Sequence, residues 1–371
     1  MSRAVVLFTR DLRVHDQPAL AEAVRTHARV VPLFVFDDAI LRGLDAPNRV
    51  SFLLEALDDV RLSLRERGGD LVVRRGDPVA ETLRLAYTVG AQTIFVGGDA
   101  SACAQTRERT LERECAEENI DLRILSTVAI VPPDAIAPTG RDHYRVFTPY
   151  WRRWQALPLR DVLPAPARLQ LPRGLEPGEL PTLRSLTSRR PSPELEPGGE
   201  RAGPRPSCRD GQRRELAPRR ARNNEETLAR WREGSTGYPI VDAGMRQLAR
   251  EGWLGNRARL IVASFLTKTL GQDWRHGAAH FARLLVDADV ANNVGNWQWM
   301  AGTGVDTRPN RVLNPVRQAK RHDPDGAYVR RHVLELADVD AAYVHEPWKA
   351  PAAAIPRGYP APIDDADVAA A

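Results

Sequence analysis

The sequence predicts an α/β domain built on a doubly wound parallel sheet, followed by an all-α domain. Three observations lead to this prediction. In the first third of the chain, short apolar runs rich in β-branched residues alternate with helical patterns, which is typical of a parallel sheet with crossover helices. From Asn223 onward the pattern is helical only. The 371 residues are also enough for two domains with sizeable cores.

Five runs are predicted to be strands, because they are short and almost wholly apolar, as strands buried on both faces are. They lie at Val5–Phe8, Val30–Phe36, Leu71–Val73, Thr93–Val96 and Leu122–Leu125. Helices are predicted between and after them, near Ala19–Arg25, Arg49–Glu66, Val79–Val89 and Gln105–Glu118. We therefore assign residues 1–127 to the α/β domain. The turn after the first strand lacks the Gly-x-Gly-x-x-Gly pattern, so this domain is not predicted to hold a dinucleotide.

The middle of the chain separates into two segments of different composition. Residues 128–183 are irregular in pattern and rich in proline, and they are predicted to be an interdomain linker. Residues 184–222 contain eleven arginines, six prolines and four glycines but no aromatic residue, valine, isoleucine or methionine. Such a segment cannot bury enough apolar surface to offset its ordering entropy, so we predict that it is disordered. A shifted reading frame and a genuine basic nucleic-acid arm both account for its composition.

Residues 223–371 are predicted to form the helical domain, and their densest polar and aromatic stretch is Asp287–Trp299. Asp289 is predicted to cap a helix that begins at Val290. On that helix Asn293 and Trp297 share a face. Trp299 lies roughly 200° round the helix from Trp297 at 3.6 residues per turn, so the two indoles are expected to have different neighbours. Asn256 is predicted to cap an earlier helix.

The overall composition limits the partners and the compartment. The formal net charge of +5 is compatible with a polyanionic partner but does not establish one. The three cysteines, Cys103, Cys115 and Cys208, show neither metal-ligand spacing nor a disulfide framework, which suits a reducing compartment. No apolar run reaches the length of a membrane span. We expect a monomeric cytoplasmic protein with no metal site and no membrane partner.

The stretch Asp287–Trp299 resembles the flavin-binding region of the DNA photolyase and cryptochrome family. Further matching strings occur in the expected order, at Thr9–Asp16, Tyr144–Tyr150, Thr236–Leu248, Trp253–Leu260, Ser264–Lys268, Asp273–Arg275 and Asn314–Pro315. Within the family the chain most resembles a class I cyclobutane pyrimidine dimer photolyase. The resemblance stops between about Leu186 and Arg222, as expected for a member with an internal segment missing or frame-shifted.

This resemblance implies an all-α domain that binds FAD through the residues matching the family positions. Asn293 matches the residue next to flavin N5, where a carboxamide can donate to unprotonated nitrogen or accept from N–H. Asp287, Ala288 and Asp289 match flavin-contacting positions, and Arg259 matches the basic residue that pairs with one of the carboxylates. The resemblance also implies a second, antenna chromophore in the α/β domain, either a folate or a deazaflavin.

The resemblance further implies an electron-transfer chain of tryptophans that leads to the flavin. Trp297 and Trp274 match its inner and middle members. The outer member falls at Ala221, so the chain of indoles is expected to lack its solvent end. The remaining tryptophans of the helical domain are predicted to serve packing: Trp231, Trp253 and Trp348.

Four residues match family positions that contact damaged DNA: Asn256, Arg257, Trp299 and Gln318. In the family, those positions touch a flipped pyrimidine dimer or its flanking phosphates. Extruding the damaged bases is the base-flipping strategy, of which photolyases are a general example. A basic cluster follows in the sequence, and it either tracks the DNA backbone or forms a solvated face. Its members are Arg308, Arg311, Arg317, Lys320 and Arg321.

The implied function is light-dependent repair of cyclobutane pyrimidine dimers by electron transfer from reduced FAD, the reaction of a deoxyribodipyrimidine photo-lyase. Two family strings have no counterpart here: a Thr-Ser-x-Leu-Ser string that holds the flavin phosphates and a Trp-Arg-Glu-Phe helix that contacts DNA. Two alternatives therefore stay open. The first is a cryptochrome-like blue-light sensor, and the second is an inactive truncated homologue.

Overall fold

The computed structural model describes residues 2–41, 46–99, 101–127, 129–131, 135–136, 138, 144, 147–193, 195, 197–200, 224–304, 312–351 and 358–363. The chain divides into two compact units. The first unit comprises Met1–Pro191 and Glu196–Cys208, and the second unit comprises Ser192–Leu195 and Arg209–Ala371. Each unit has its own hydrophobic core.

The first unit contains the predicted alternation of strands and helices. Its strands are β1 (Arg3–Phe8), β2 (Arg29–Phe36), β3 (Val72–Arg75), β4 (Thr93–Gly97) and β5 (Asp121–Leu125). Its helices are α1 (Pro18–Thr26), α2 (Asp38–Leu41), α3 (Pro47–Arg65), α4 (Pro78–Val89), α5 (Ala102–Glu117), α6 (Phe147–Gln155) and α7 (Leu183–Leu186). All five predicted strands and all four predicted helices of residues 1–127 are confirmed, with ends shifted by a few residues at most.

The five strands form one parallel sheet in the order β3-β2-β1-β4-β5, which is the doubly wound arrangement that the sequence predicts. The central strand β1 pairs on both sides, with Val5 opposite Val31 of β2 and Ile94 of β4. The predicted burial of every strand on both faces is wrong for β5, where Ile124 is 38% exposed. The reason is its position at the edge of the sheet, which apolar composition alone does not reveal.

Part of the predicted linker is built into the first unit. Leu169 is buried in the core beside the sheet. The amide of Val73 donates to the carbonyl of Pro177 over 2.7 Å, which adds a backbone partner beside β3. Arg160 forms an ion pair with Asp16, and its hydrogen bond lowers the pKa of that carboxyl below the usual value. These contacts lie beyond residue 127, where the predicted α/β domain ends.

The segment 184–222, predicted to be disordered, makes specific contacts where the structure describes it. The amide of Gly198 donates to Glu55 Oε2 over 2.8 Å. Glu200 accepts from the amide of Val14 over 3.0 Å and lies 2.8 Å from His15 Nδ1. Residues 201–223 lie outside the described residues, and the prediction for them stays a prediction.

The second unit is helical in the ranges that the structure describes. Its helices are α8 (Glu225–Glu233), α9 (Pro239–Glu251), α10 (Asn256–Ser264), α11 (Trp274–Leu284), α12 (Val290–Ala301), α13 (Pro315–His322) and α14 (Ala327–His332). A π-helical turn, Phe265–Thr269, continues α10. Helix α11 packs on α12, and α14 packs on α9. Among the described residues, no helix has both the length and the apolarity to cross a membrane.

A buried carboxylate fastens the segment 358–363 to the start of α9. Asp242 accepts four hydrogen bonds: from the amide and hydroxyl of Thr236, from the amide of Gly237 and from the hydroxyl of Tyr359, the last over 2.6 Å. The amide of Ile363 also donates to the carbonyl of Thr236 over 2.8 Å. Burial raises the pKa of the Asp242 carboxyl despite these donors. Each donor therefore offsets part of the desolvation cost of this carboxylate.

Replacing Tyr359 by Phe should lower the free energy of unfolding by about 1–3 kcal/mol, because a buried acceptor loses a donor. Urea unfolding followed by circular dichroism measures the change. Tyr343→Phe in the same unit is the control and should change stability by less than about 0.5 kcal/mol. Equal stability of the Tyr359→Phe variant and the parent chain would show that the Tyr359 hydroxyl does not stabilise Asp242.

Candidate functional site

Helix α12 forms one wall of the candidate site, and its ends are set by local chemistry. The Asp289 side chain accepts the amide of Asn292 over 2.7 Å, which confirms the predicted cap. Gly302, with φ of 74°, ends the helix in the left-handed conformation that glycine adopts readily. Trp297 is only 2% exposed, whereas Trp299 is half-buried. The two indoles thus have different environments, as their spacing predicts.

Arg259, on α10, forms hydrogen bonds with the loop before α10 and with the segment before α12. Its Nε donates to the carbonyl of Leu254 over 2.6 Å, and its terminal nitrogen donates to both oxygens of Asp287 over 3.0 and 2.8 Å. The amide of Val286 donates to the carbonyl of Gly252 over 2.8 Å. The prediction that Arg259 pairs with one of the two carboxylates is confirmed, and the partner is Asp287. Because these side chains are 25% and 41% exposed, the ion pair contributes about 0–1 kcal/mol, and its main effect is on geometry.

The start of α10 differs from the prediction. Asn256 was expected to cap the helix, but the carbonyl of Gly255 accepts the amide of Arg259 over 3.0 Å, which makes Gly255 the N-cap residue. Asn256 already belongs to the first turn, so the cap prediction is wrong. Asn256 and Arg257 are both exposed there. This exposure leaves their side chains accessible to a ligand.

The buried side of α12 is organised around Trp297. Its six-membered ring lies so close to Gly277 of α11 that a Cβ atom at that glycine would overlap it. The ring centroid of Trp297 is 5.1 Å from that of Phe281 and 6.0 Å from that of Trp231. Trp274 is the first residue of α11, and the Arg275 guanidinium lies 5.0 Å from its ring centroid. The two predicted electron-transfer residues are therefore on facing helices.

The other tryptophans of this unit occupy three environments. Trp231 is fully buried and donates from Nε1 to the carbonyl of Val262 over 3.1 Å, in agreement with a packing role. Trp348 packs on Tyr238 with ring centroids 5.4 Å apart. Trp253 is 41% exposed and differs from both. Ala221, the predicted gap in the tryptophan chain, lies outside the described residues.

The polar groups at the first turns of α12 fit a flavin ring and its attached chain. Asn293 donates from Nδ2 to the carbonyl of Ala278 over 2.8 Å, so its orientation is fixed by α11. Next to it, Asn292 Oδ1 is buried and has no hydrogen-bond partner in the part of the chain that the structure describes. A buried acceptor of this kind calls for a donor, and flavin N–H and ribityl O–H groups supply one. Ala288 is partly buried between the paired Asp287 and the capping residue.

The residues predicted to contact DNA lie on α10, α12 and α13. Gln318 Oε1 is a buried acceptor to which none of the described residues donates, as expected of an amide that reads a donor on a ligand. Burial, and then the charges of Arg257 and Arg321, lower the pKa of His322. The first turn of α10 and the last turn of α13 are therefore within electrostatic range of each other.

The predicted basic cluster is only partly available to a ligand. Lys320 is engaged by Glu346 at 2.5 Å. Arg317 and Arg321 are exposed. Arg308 and Arg311 lie outside the described residues.

The carboxyl ends of the strands in the first unit carry a second group of polar side chains. Arg10, after β1, donates to Asp99, after β4, over 2.7 Å. Burial raises the pKa of the Asp99 carboxyl, but the hydrogen bonds from Arg10 and Ser101 outweigh it and the pKa is lowered. Thr127 Oγ1 is buried and has no hydrogen-bond partner within the described ranges. Ligands of open α/β sheets bind at this edge, so these groups fit a second chromophore.

Two contributions to the site escaped the sequence analysis. Lys268, in the π-helical turn, donates to the carbonyl of Ala301 over 2.8 Å and so caps the end of α12. His280 is 7% exposed, with its ring centroid 5.7 Å from that of Trp231. The sequence carries no signal for the π-helical turn that places Lys268. In the part of the chain that the structure describes, no group of three His, Cys, Asp or Glu side chains could hold a metal ion.

A doubly wound α/β unit followed by a helical unit with a polar, tryptophan-bearing wall defines a two-domain cofactor-binding protein. Comparison with known proteins identifies the family. A model described as DNA photolyase matches residues 4–168, and one described as the FAD binding domain of DNA photolyase matches residues 205–371. The chain belongs to the DNA photolyase and cryptochrome family.

Three similar proteins illustrate this membership. A deoxyribodipyrimidine photo-lyase of Streptomyces griseus is 42% identical over 94% of this chain and 93% of its own length. A cryptochrome DASH of Natronomonas pharaonis is 33% identical over 99% of both chains. The solved structure of a class III photolyase from Agrobacterium tumefaciens superposes with a TM-score of 0.88 at 26% identity, covering 99% of this chain and 95% of the other.

The His280 imidazole should make the stability of the helical unit depend on pH. Burial, and then the charges of Arg283 and Arg232, lower the pKa of His280 from 6.5 to about 4. The unfolded chain therefore binds more protons between these values, so the free energy of unfolding falls as pH drops from 6.5 to 4. The full effect amounts to about 3 kcal/mol. Urea unfolding at a series of pH values measures it.

The variant His280→Phe should lose this part of the pH dependence, whereas His276→Phe on the same helix should keep it. Parallel stability profiles of His280→Phe and the parent chain between pH 4 and 6.5 would contradict the assignment.

Proposed function

We propose that this protein is a deoxyribodipyrimidine photo-lyase, which splits cyclobutane pyrimidine dimers in DNA under blue light. The observation that carries the proposal is the arrangement around α12. One helix carries the amide expected at the flavin, the indole of the electron path and the indole expected at the lesion, which are Asn293, Trp297 and Trp299. Membership of the family gives this arrangement its chemical meaning.

The cofactor implied is FAD, which when reduced and excited by blue light supplies the electron that opens the cyclobutane ring and receives it back. The protein binds and orients this group. Arg259 fixes Asp287 for contact with the flavin, and Asp289 fixes the first turn of α12. Asn293, whose Nδ2 donates to the carbonyl of Ala278, would be free to accept a proton of the bound flavin with its Oδ1. Trp297 and Trp274 provide oxidisable rings on the facing helices α12 and α11.

The same proposal assigns DNA contacts to the exposed side of the unit. Asn256 and Arg257 are accessible in the first turn of α10 and can hold the phosphates that flank the flipped dimer. Gln318 offers an acceptor that has no partner among the described residues. Trp299, half-buried at the end of α12, presents a flat apolar face to the extruded bases.

A second chromophore is proposed for the carboxyl edge of the sheet in the first unit, where Arg10, Asp99 and Thr127 supply polar groups. We further infer a monomer that acts in the cytoplasm. The two cysteines that the structure describes, Cys103 and Cys115, form no disulfide with each other, which suits a reducing compartment.

A cryptochrome-like light sensor is the alternative function, favoured by the similarity to a cryptochrome DASH. The test illuminates the protein, with FAD and an external reductant added, in the presence of a single strand that contains one cyclobutane dimer. Restoration of intact thymines, seen by chromatography of the oligonucleotide, supports the photo-lyase. Light-dependent reduction of FAD without any loss of dimers supports the sensor.

The chain as written should purify with little FAD. The Thr-Ser-x-Leu-Ser string that holds the pyrophosphate in the family has no counterpart in the sequence, and a pyrophosphate without hydroxyl, amide or cationic partners is strongly disfavoured in a protein interior. The absorbance ratio of flavin to protein measures the retention. Any retained FAD should also be photoreduced slowly, because alanine stands at position 221 in place of the outer tryptophan.

The matched variant is Ala221→Trp, compared with the parent chain under the same blue light and external reductant. Near-stoichiometric FAD in the parent chain would contradict the retention prediction. Equal bleaching rates of parent and variant would contradict the role of position 221.

Binding to DNA should be mostly electrostatic, because phosphate contacts such as that of Arg257 persist while the Trp-Arg-Glu-Phe helix has no counterpart in the sequence. Affinity should fall steeply with salt and differ less than about a hundredfold between damaged and intact strands. Arg257→Ala should weaken binding and reduce the slope of log affinity against log salt by about 1. Arg331→Ala removes the same charge from an exposed position on α14 and should leave the slope unchanged. A dimer preference of a hundredfold or more would show that specific lesion recognition is intact.

A further inference from the structure

Trp253 is the described tryptophan whose exposure is hardest to explain by packing. It is 41% exposed, whereas Trp231 and Trp297 are 0% and 2% exposed. A single exposed apolar residue is common on protein surfaces and needs no explanation by itself. What distinguishes Trp253 is the rigidity of its loop and the chemistry of its neighbours.

The loop that carries Trp253 is held from both sides. Gly252 ends α9 with φ of 67°, and its carbonyl accepts the amide of Val286 over 2.8 Å. Leu254 is 1% exposed, and its carbonyl accepts Arg259 Nε over 2.6 Å. The residues on either side of Trp253 are therefore fixed in position. A ring presented on such a loop loses little conformational entropy when a ligand covers it.

The indole lies over the start of α10. Its six-membered ring is 3.7 Å from the position that a Cβ atom at Gly255 would take, which is an ordinary van der Waals distance. The next two residues are the exposed Asn256 and Arg257. The aromatic face and the guanidinium thus lie within four residues of each other on one rigid segment.

The surroundings of Arg257 are cationic. Its charge and that of Arg321 act on His322, so α10 and α13 contribute to one positive region. Aromatic rings beside cationic side chains are the means by which proteins bind single-stranded nucleic acid, because every base can stack and every nucleotide carries a phosphate. The charge complementarity therefore favours a nucleotide over an apolar partner.

We propose that Trp253 is a stacking platform for a base of the single strand that flanks the flipped dimer, while Arg257 holds the neighbouring phosphate. This inference rests on the proposed function and deepens it, because it names a residue that grips undamaged nucleotides. It also replaces the prediction that Trp253 serves packing alone. Sequence preference is not expected, since every base has a stacking face.

The test measures the affinity of the purified protein for a fluorescent oligothymidylate by anisotropy at several salt concentrations. Trp253→Ala should weaken binding about 5- to 100-fold, as the loss of one stacked base does. The salt slope should stay unchanged, because no charge is removed. Trp253→Phe should retain affinity within a few fold, since a smaller ring still stacks. Tyr87→Ala, which removes an aromatic ring that is 86% exposed in the first unit, is the matched control and should bind as the parent chain does.

Arg257→Ala separates the two proposals. If Arg257→Ala loses affinity while Trp253→Ala binds as tightly as the parent chain, the stacking role is overturned and the proposed function stands. If Trp253→Ala lowers the amount of bound FAD but not the affinity for the oligonucleotide, the indole faces the cofactor and the stacking role is overturned. If the parent chain does not bind the oligonucleotide at low salt, both proposals fail. Circular dichroism and urea unfolding of Trp253→Ala establish that the variant is folded.

Discussion

The geometry of the candidate site depends on the hydrogen bonds of Arg259. One guanidinium joins the carbonyl of Leu254 to the carboxylate of Asp287, and so connects the loop before α10 with the segment before α12. A partly exposed ion pair contributes little free energy. Its planar, forked donors nevertheless fix two backbone segments in one orientation, which a lysine in the same place could not do. The DNA side and the flavin side of the site therefore share one anchor.

The second constraint is steric and lies at the crossing of α11 and α12. Gly277 lets the backbone of α11 approach the ring of Trp297, where any Cβ atom would overlap that ring. This contact positions the buried face of α12, and Asn293 is tied to the same helix through the carbonyl of Ala278. Because the helix has 3.6 residues per turn, fixing Trp297 inside also fixes Trp299 on another side. One packing contact thereby orients both indoles.

Sequence reasoning succeeded for features set by local residues and failed for contacts between segments that are distant in the sequence. The strands, the cap at Asp289 and the pairing of Arg259 with one of two carboxylates were predicted, because local pattern or a family motif specifies them. The exposure of β5 and the backbone hydrogen bond between Val73 and Pro177 were not predicted, because both depend on which distant segments become neighbours. The cap at Asn256 failed by one residue. An asparagine side chain suits either position, and the backbone decides between them.

The relatives are longer than this chain. We expect this difference in length to affect the binding of the cofactor more than the fold. The alignment with the Streptomyces griseus protein runs over 425 positions, which exceeds the 371 residues present here. The relative thus contains residues that this chain lacks. The core around Trp231 and Trp297 is nevertheless closed by helices α8 to α12. The core of the helical unit is thus built from residues present in this chain, and retention of FAD is the property that we predict to depend on the residues it lacks.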